Sequence, residues 1–471
     1  MSANMSSAAE LAGFGYKQEL KRSLSTADLV VYGLVFMVPI APWAIFGIVF
    51  TQAKGMVPLV YLIGLVAMIF TAIAYAQMSR AFPLAGSVYS YASHAIHPKI
   101  GFLAGWTILL DYLLIPTLLY VVAAESMSGI FPTVQKPLWI VAFLGFNTLI
   151  NYLGISFTAI VNWIFLTAEL VFVAIFAVMA IMAISRGRGG AAFSLAPLFN
   201  PAEFTPALAA TALSIAVVSF LGFDGIATLS EEAKGGRRSA GTAMITGLFL
   251  VAAFFVTQTW LAAMLVPGRT EFPADETNNA FFNIIASISN SGWSIAFLAM
   301  NALAVGIANC VAAQSATSRL LFSMARDGRL PRWLSRVKPR TGVPDRAIFL
   351  VAAITLVLGE FLVGKIAIIT TLVNFGALMS FLLLHISVIG WYVIQRHSDR
   401  VLLHWAVPAV GFAIIFYVLW NAETAAKVGG LIWLAVGVLV MLFYERKGAG
   451  VLLEHAATPP AGFPLGGPSG G

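Results

Sequence analysis

Apolar residues occur in twelve long stretches that are separated by short polar segments. Each stretch has roughly 17 to 28 residues, close to the ~20 that an α-helix needs to cross the hydrocarbon core of a bilayer. The pattern therefore predicts twelve transmembrane helices, which begin near Leu29, Val57, Ile100, Leu138, Phe157, Leu208, Gly241, Trp293, Ala347, Ile366, Leu402 and Val428.

Two of the predicted spans are interrupted near their centres. Span 1, Leu29 to Phe50, contains Pro39-Ile-Ala-Pro42, and span 6, about Leu208 to Ser230, contains Gly222-Phe-Asp-Gly225. Proline removes a backbone donor and glycine weakens a helix, and free backbone groups are tolerated at mid-membrane only where they line a protein-enclosed cavity. One interruption alone is typical of a kink, but a matching pair predicts a substrate site. The candidate lining residues are Pro39, Ile40, Ala41, Trp43, Gly222, Phe223, Asp224 and Gly225.

The composition is too apolar for a soluble core, because 60% of the residues are hydrophobic, 10% are charged and the mean hydropathy is +0.90. If both termini face the cytoplasm, 20 of the 27 Lys and Arg fall in inner segments. This distribution satisfies the positive-inside rule and needs an even number of spans. We therefore expect an integral protein of the cell inner (cytoplasmic) membrane. Its net charge of +7 indicates topology and contact with membrane lipid, and no basic patch suggests nucleic acid.

The two interrupted spans divide the chain into related halves. Spans 1 and 6 are five spans apart, and a repeat with an odd number of spans inserts its second copy upside down. This arrangement predicts a 5+5 inverted repeat followed by two extra helices. The expected segments are a cytoplasmic tail at 1–28, a first repeat at 29–184, a second repeat at 185–394, the extra spans at 395–445 and a partly disordered cytoplasmic tail at 446–471.

Three longer motifs resemble those of a known family. They are Ser79–Tyr91 after span 2, Phe220–Gly225 continuing to Ser230-Glu-Glu232, and Ser318–Pro331 after span 8. In these motifs the chain is similar to the amino acid-polyamine-organocation superfamily. Within it, Gly105-Trp and Leu110–Pro116 on span 3 resemble the bacterial putrescine importers. The resemblance implies the leucine-transporter-type fold with broken helices 1 and 6, and secondary active transport that is usually driven by protons.

Three acidic residues lie deep within spans, where a bare carboxylate costs at least ~2.5 to 3.5 kcal/mol on insertion scales. Asp224 lies in the span 6 break, where it either binds an amine or exchanges a proton, or else caps the broken helix. Asp111 in span 3 is either a second amine contact or a hydrogen-bonded core acid. Glu169 lies near the middle of span 5. We therefore treat all three as candidates for substrate binding or coupling.

Glu169 is the candidate for proton coupling, together with Asp224. A buried carboxyl group holds its proton more tightly than one in water, so Glu169 can exchange a proton near physiological pH. The alternative is a protonated acid that is hydrogen-bonded between helices. Some proton-coupled relatives carry a lysine here in place of a sodium ion, and this chain has the opposite charge. Sodium coupling stays an alternative, with oxygens from Ser315, Thr317 and Ser318.

The break of span 1 narrows the substrate class. Amino acid carriers of the superfamily usually have a Gly-Ser/Thr-Gly element there, whose N–H groups hold the substrate carboxylate. This chain has Val38–Trp43 instead, with two prolines and no glycine. An amine without a carboxylate, such as putrescine, fits better, and a neutral or cationic amino acid permease or exchanger is the alternative. The aromatic candidates for cation–π contact, or for ordinary packing, are Trp43, Tyr112, Tyr120 and Phe223.

Charged residues at the inner ends of three spans are candidates for a gate. Arg80 ends span 2, where it either takes part in gating or only fixes topology. Glu231 and Glu232 precede three basic residues and form either a solvated cluster or an inner gate of salt bridges. The eight basic residues from Arg319 to Arg346 predict an amphipathic connection that contacts lipid headgroups.

Other classes of function have little support in the sequence. His385 lies alone in span 10, and no nucleophile with a base or set of metal ligands is evident, so we expect no enzyme, cofactor or metal site. The absence of a Gly-x-x-x-x-Gly-Lys-Ser/Thr motif argues against an ATP-driven pump. Among these other classes, a channel is the strongest alternative to a transporter. We expect the single cysteine, Cys310, to be a small core residue, and the oligomeric state stays open.

Overall fold

The computed structural model describes residues 11–12, 14–363 and 365–446. The first helices are α1 Thr26–Met37, α2 Pro42–Gln52, α3 Val57–Ala81, α4 Val88–Ala95, α5 Pro98–Ile130, α6 Lys136–Leu153 and α7 Ile155–Ser185. The later ones are α8 Pro206–Ser219, α9 Ser239–Met264, α10 Ala280–Ile288, α11 Ser291–Leu303, α12 Cys310–Arg326, α13 Asp345–Leu362, α14 Ile366–Val388, α15 Val407–Trp420 and α16 Thr424–Arg446.

Several helical segments of other types join these α-helices. A 3₁₀ helix at Phe223–Glu232 follows α8 after a short turn. Other segments are the π-helical turns Ala304–Asn309, Ile389–Gln395 and Leu402–Ala406, and the short 3₁₀ turns Arg188–Gly190, Gly236–Arg238, Thr277–Asn279 and Arg332–Ser335. Apart from Arg446, the tail predicted at 446–471 lies outside the described residues, and so do residues 1–10 and 13 of the tail predicted at 1–28.

The described chain is an all-helical protein of the membrane type. Within it, eight helices are long and apolar enough to cross a membrane, and nine if the bent pair α1 and α2 counts as one span. The other three predicted spans correspond to α6 with 18 residues, to the 14-residue α8 with its following 3₁₀ helix, and to α13 with 18 residues. Each predicted span therefore contains a helix, although these three are shorter or less apolar than a typical spanning helix.

The first predicted span breaks between α1 and α2. Ser25 caps the start of α1, because its hydroxyl accepts from the Asp28 amide and its own amide donates to the Asp28 carboxylate. A residue that precedes proline avoids the helical region of backbone conformation. Val38, which precedes Pro39, has a φ of 54° and is not helical, so α1 ends at Met37. Pro42 begins α2, where its missing N–H costs nothing. The two helices are bent by 54° at this break.

The second break begins earlier than the sequence suggested and is longer. Helix α8 ends at Ser219, and Gly222 has a φ of 116°, a conformation that favours glycine. The chain then continues as a 3₁₀ helix through Phe223–Glu232, all of whose residues are buried. Because a 3₁₀ helix pairs its backbone groups less well than an α-helix, a long non-α segment of this kind is often a functional hinge.

The long helix α5 lies at the centre of the packing. It contacts α14, α12 and α6 along different parts of its length, while α1 packs against α9, α7 and the 3₁₀ helix. The crossing of α14 over α5 requires a glycine, because a Cβ at Gly376 would lie 2.8 Å from both the Thr107 carbonyl oxygen and the Asp111 nitrogen. This close approach fixes α14 beside Asp111.

Candidate substrate site and inner gate

The two chain breaks meet at Gly222. A Cβ on this residue would lie 2.9 Å from the carbonyl carbon and oxygen of Phe36, the residue before the end of α1. The Phe36 ring covers Gly225 in the same way. Only glycine allows the start of the 3₁₀ helix to lie directly on the end of α1, so the two interrupted segments form one contiguous region.

Asp224 is buried in this region with both carboxyl oxygens engaged. The Tyr112 hydroxyl of α5 donates to Asp224 Oδ2 at 2.7 Å, and the Gly222 amide donates to Oδ1 at 3.2 Å. Within the described residues no Lys, Arg or His lies at ion-pair distance from this carboxyl group. Two neutral donors orient Asp224, but no residue of the described chain supplies a balancing positive charge.

Asp111 is a second buried carboxyl group beside the first. It is 2% exposed and precedes Tyr112 on α5, whose hydroxyl binds Asp224. Its Oδ1 has no hydrogen-bond partner in the described chain. At that oxygen Asp111 therefore lacks the hydrogen bond that a structural core acid is expected to make.

A cluster of aromatic rings includes Phe223, the residue that precedes Asp224. The Phe223 ring centroid lies 5.7 Å from that of Tyr75 on α3 and 6.2 Å from that of Phe381 on α14, and the Tyr75 and Phe381 rings are 5.9 Å apart. The sequence analysis missed Tyr75 and Phe381, because a lone aromatic residue in an apolar span carries no signal that separates a site from packing. Rings of this kind can present a π face to a cation.

Two of the aromatic candidates make contacts elsewhere. The Trp43 ring stacks on Phe281 at 5.2 Å and lies 5.0 Å from Phe297, so it packs against α10 and α11 and not beside Asp224. The Tyr120 hydroxyl accepts a hydrogen bond from Asn147 and is not hydrogen-bonded to Asp224 or Asp111 in the described chain. For both residues the contacts favour packing over a cation–π role, and the placement of Trp43 in the substrate lining stays a prediction.

The first break has contacts of its own. Ile40 is fully buried there and Ala41 is partly buried. The Pro39 carbonyl accepts a hydrogen bond from Gln258 Nε2 of α9 at 2.6 Å. This contact ties the bent pair α1 and α2 to α9 at the level of the break.

Glu169 lies on the buried face of α7 and is 0% exposed. Neither of its carboxyl oxygens has a hydrogen-bond partner among the residues that the structure describes. Helix α7 packs against α1 and against the π turn Ala304–Asn309 that precedes α12. Glu169 is thus a buried acid on a helix that packs against the broken first span, without the interhelical hydrogen bond that a structural acid would have.

Two salt bridges lie at the end of the 3₁₀ helix that is farther from Gly222. Arg319 of α12 is buried and makes a two-point contact with Glu232, which its Nη2 reaches at 3.0 Å and its Nε more closely. Arg326 makes a second two-point contact with Glu231 at 2.8 and 3.0 Å. We call these four residues the inner gate, after the role that the sequence predicts for the two glutamates. They join the second half of the broken sixth span to α12.

The inner gate bears on three interpretations of the sequence. Glu231 and Glu232 are buried in salt bridges and are not a solvated cluster. Arg319 and Arg326 belong to these pairs, so their assignment to a surface that contacts lipid headgroups is wrong. Arg80 pairs with neither glutamate, and its Nε has no hydrogen-bond partner in the described chain. Sequence reasoning missed both arginine partners because 87 and 95 residues separate them from the glutamates.

The N-terminal segment covers the inner gate. The Ser23 and Leu24 amides donate to the Glu232 carbonyl at 3.0 Å, and Gln18 Nε2 donates to the Glu231 carbonyl at 3.1 Å. These bonds hold the segment across the end of the 3₁₀ helix. The site is therefore closed on this side by two salt bridges and a layer of backbone.

We expect Arg319→Met to lower the free energy of unfolding by about 3–5 kcal/mol, because it leaves Glu232 buried without its positive partner. Adding Glu232→Gln removes the uncompensated charge and should restore much of the lost stability. The measurement is thermal inactivation of the purified protein in detergent. Arg332→Met, at an exposed position, is the matched control. Equal stability of Arg319→Met and the control would show that the pair does not stabilise the fold.

Comparison with known proteins identifies the family. The sequence profile of a family described as "Amino acid permease" matches residues 23–444, which include both breaks and the inner gate. The chain belongs to this amino acid permease family. The permease is therefore a multi-pass membrane transporter and not an enzyme.

The names of the permease's relatives refer to different substrates. It is 30% identical over 431 residues to the low-affinity putrescine importer PlaP of Escherichia coli K12, covering 90% of the permease and 93% of the importer. It is 23% identical to the branched-chain amino acid permease BcaP of Bacillus subtilis, covering 93% and 96%. It is 24% identical to the vacuolar cationic amino acid transporter 4 of Arabidopsis thaliana, covering 77% and 62%.

Proposed function

We propose that the permease is a secondary active transporter of the cell inner (cytoplasmic) membrane that carries small amines such as putrescine in symport with protons. The observation that carries this proposal is the pair of buried carboxyl groups, Asp224 and Asp111, without a basic partner in the described chain. Carboxylates in such surroundings need a cation from outside or a proton. A diamine supplies two cations to two acids.

The backbone around the breaks favours an amine over a carboxylate ligand. In the first break, the Ala41 amide donates to the Val38 carbonyl at 2.8 Å and the Trp43 amide to the Ile40 carbonyl at 3.0 Å, and neither proline has an N–H. In the second, the Gly222 amide is bonded to Asp224. Since these donors are already used, little remains to hold a substrate carboxylate. The name of the putrescine importer among the relatives agrees with this conclusion.

Proton coupling is favoured over sodium coupling by the contacts of α12. The carbonyl and hydroxyl oxygens of Ser315 accept hydrogen bonds from Arg319 Nη1 at 3.0 and 2.6 Å. The Thr317 hydroxyl lies 2.6 Å from the Tyr112 carbonyl, and the Ser318 hydroxyl donates to the Ser315 carbonyl. The two Ser315 oxygens that a sodium ion would use are thus already engaged by the Arg319 cation, whereas Glu169 offers an unpaired carboxyl group for a proton.

We place these parts in a twelve-span, 5+5 inverted-repeat fold of the leucine-transporter type. The first repeat is 29–184, the second is 185–394 and the extra spans are 395–445, with both termini in the cytoplasm. In this frame Glu231 and Glu232 form the gate on the cytoplasmic side. Substrate then reaches Asp224 from outside and leaves when the ion pairs with α12 open.

Substrate competition tests the proposal. In vesicles containing the purified permease, unlabelled putrescine should suppress uptake of labelled putrescine at a concentration at least about 10-fold lower than leucine or alanine needs, because only the diamine brings two cations and no carboxylate. Saturable uptake driven by an imposed proton gradient supports a carrier. Strong competition by leucine or alanine with none by putrescine would identify an amino acid permease, and single-channel currents would identify a channel.

A further inference from the structure

A cavity of about 430 Å³ lies on the side of the second break opposite the inner gate. It is bounded by α2, α8, α14 and the turn between α15 and α16. Its polar lining includes Ser219, Thr370, Thr371, Asn374, Asn421 and Glu423. None of these residues belongs to the candidate substrate site described above.

The floor of the cavity adjoins the candidate substrate site. Ser219 is the last residue of α8 and comes three residues before Gly222. Leu378 lines the cavity from α14, and Phe381 lies about one helical turn further on. Because the Phe381 ring packs 6.2 Å from that of Phe223, a short aromatic layer separates the cavity from Asp224.

The polar lining presents mainly hydrogen-bond acceptors. Four of its donor groups are used by helix carbonyls: Ser219 Oγ by Ile215, Thr370 Oγ1 by Ile366, Thr371 Oγ1 by Ile368, and Asn421 Nδ2 by Tyr417, at 2.8 to 3.1 Å. The hydroxyl lone pairs and the Asn421 side-chain oxygen remain, and Asn374 Oδ1 has no hydrogen-bond partner in the described chain. Such a lining matches a ligand rich in N–H donors.

Glu423 adds a negative charge at the edge of the cavity. Its side chain is exposed and has no basic residue at ion-pair distance within the described ranges. Lys427, one turn further along α16, donates instead to the Trp420 carbonyl at 2.9 Å. The carboxylate is therefore available to a cation from solution.

We propose that this cavity is an outer docking site for the ammonium group of the substrate, in which Glu423 attracts the cation and the acceptor lining holds it before it moves to Asp224. The inference rests on the proposed amine transport. It assigns to α15 and α16, which lie outside the two repeats, a part in substrate capture. Its ligand class is a small primary amine or diamine.

The first test is the concentration dependence of putrescine uptake by Glu423→Gln in vesicles. We expect KM to rise about 3- to 10-fold and the maximal rate to stay within about twofold, because the lost charge acts on capture and not on the inner steps. High salt should raise the KM of the unsubstituted protein and have less effect on the variant. Asp275→Asn, which removes an exposed charge from the loop after α9, is the control and should leave KM unchanged.

The second test separates docking from transport. In a Thr371→Cys protein, where the native Cys310 is buried, a thiol reagent will label the cavity, and putrescine should slow that labelling. The protection should persist when Asp224→Asn has stopped transport, and should be lost with Glu423→Gln. If putrescine is transported but neither protects the introduced thiol nor depends on Glu423 for its KM, the docking site is wrong. If putrescine is not transported at all, the proposed function fails instead.

Discussion

Asp224→Asn should reduce putrescine uptake about 100-fold or more, while the protein stays folded and inserted in the membrane. The substitution keeps the size of the side chain but removes the negative charge that a bound ammonium would meet. Losing one partner of a buried charge pair costs on the order of 2–5 kcal/mol, which corresponds to roughly this change in affinity. The measurement is initial uptake into vesicles, with binding followed by calorimetry.

Variants of neighbouring residues make this result specific to charge. Asp275→Asn, an exposed substitution of the same kind, should transport normally. Tyr112→Phe removes the hydrogen bond to Asp224 Oδ2 but keeps the carboxylate, so it should weaken uptake by a smaller factor than Asp224→Asn. Near-normal uptake by an Asp224→Asn protein that elutes as a single species and unfolds at the usual temperature would remove Asp224 from both substrate and proton roles.

Local sequence signals located the two chain breaks well, because a break depends on the residues at the break. Pro39 and Pro42 end and restart helices at nearly the expected positions, and Gly222 marks the second break. The length of the 3₁₀ helix after Gly222 was not predictable in the same way. It depends on burial and on the ion pairs at its far end, which are tertiary contacts.

Partners that are distant in sequence could not be read from the chain alone. The arginines of the inner gate were visible as part of a basic segment, but nothing in that segment distinguishes Arg319 in the interior from Arg332 at the surface. Trp43 shows the same limit for aromatic residues, since the packing of α10 and α11 decides which way its ring turns. Helical periodicity places a residue on a face but does not identify the neighbour of that face.

Glu169→Gln should abolish concentrative uptake that is driven by a proton gradient, while one-for-one exchange of substrate at equal pH continues. The variant keeps the shape of the protonated acid and cannot release a proton. A proton can shift the balance between inward- and outward-facing states only through different affinities for the two states. When the site can no longer titrate, substrate binding should survive, but the dependence of transport on pH should be lost.

The position of Glu169 makes this variant a sharp test of coupling. Both of its carboxyl oxygens lack partners in the described chain, so the amide adds no clash with a known donor and folding should be preserved. The control adds Asn162→Asp to the Glu169→Gln protein, which places an acid two turns earlier on the same buried face of α7. This acid tests the effect of charge alone and should not restore coupling. If Glu169→Gln still concentrates putrescine when the proton gradient is the only driving force, Glu169 is structural. The coupling proton must then bind at Asp224 or Asp111, where it would compete directly with the ammonium of the substrate.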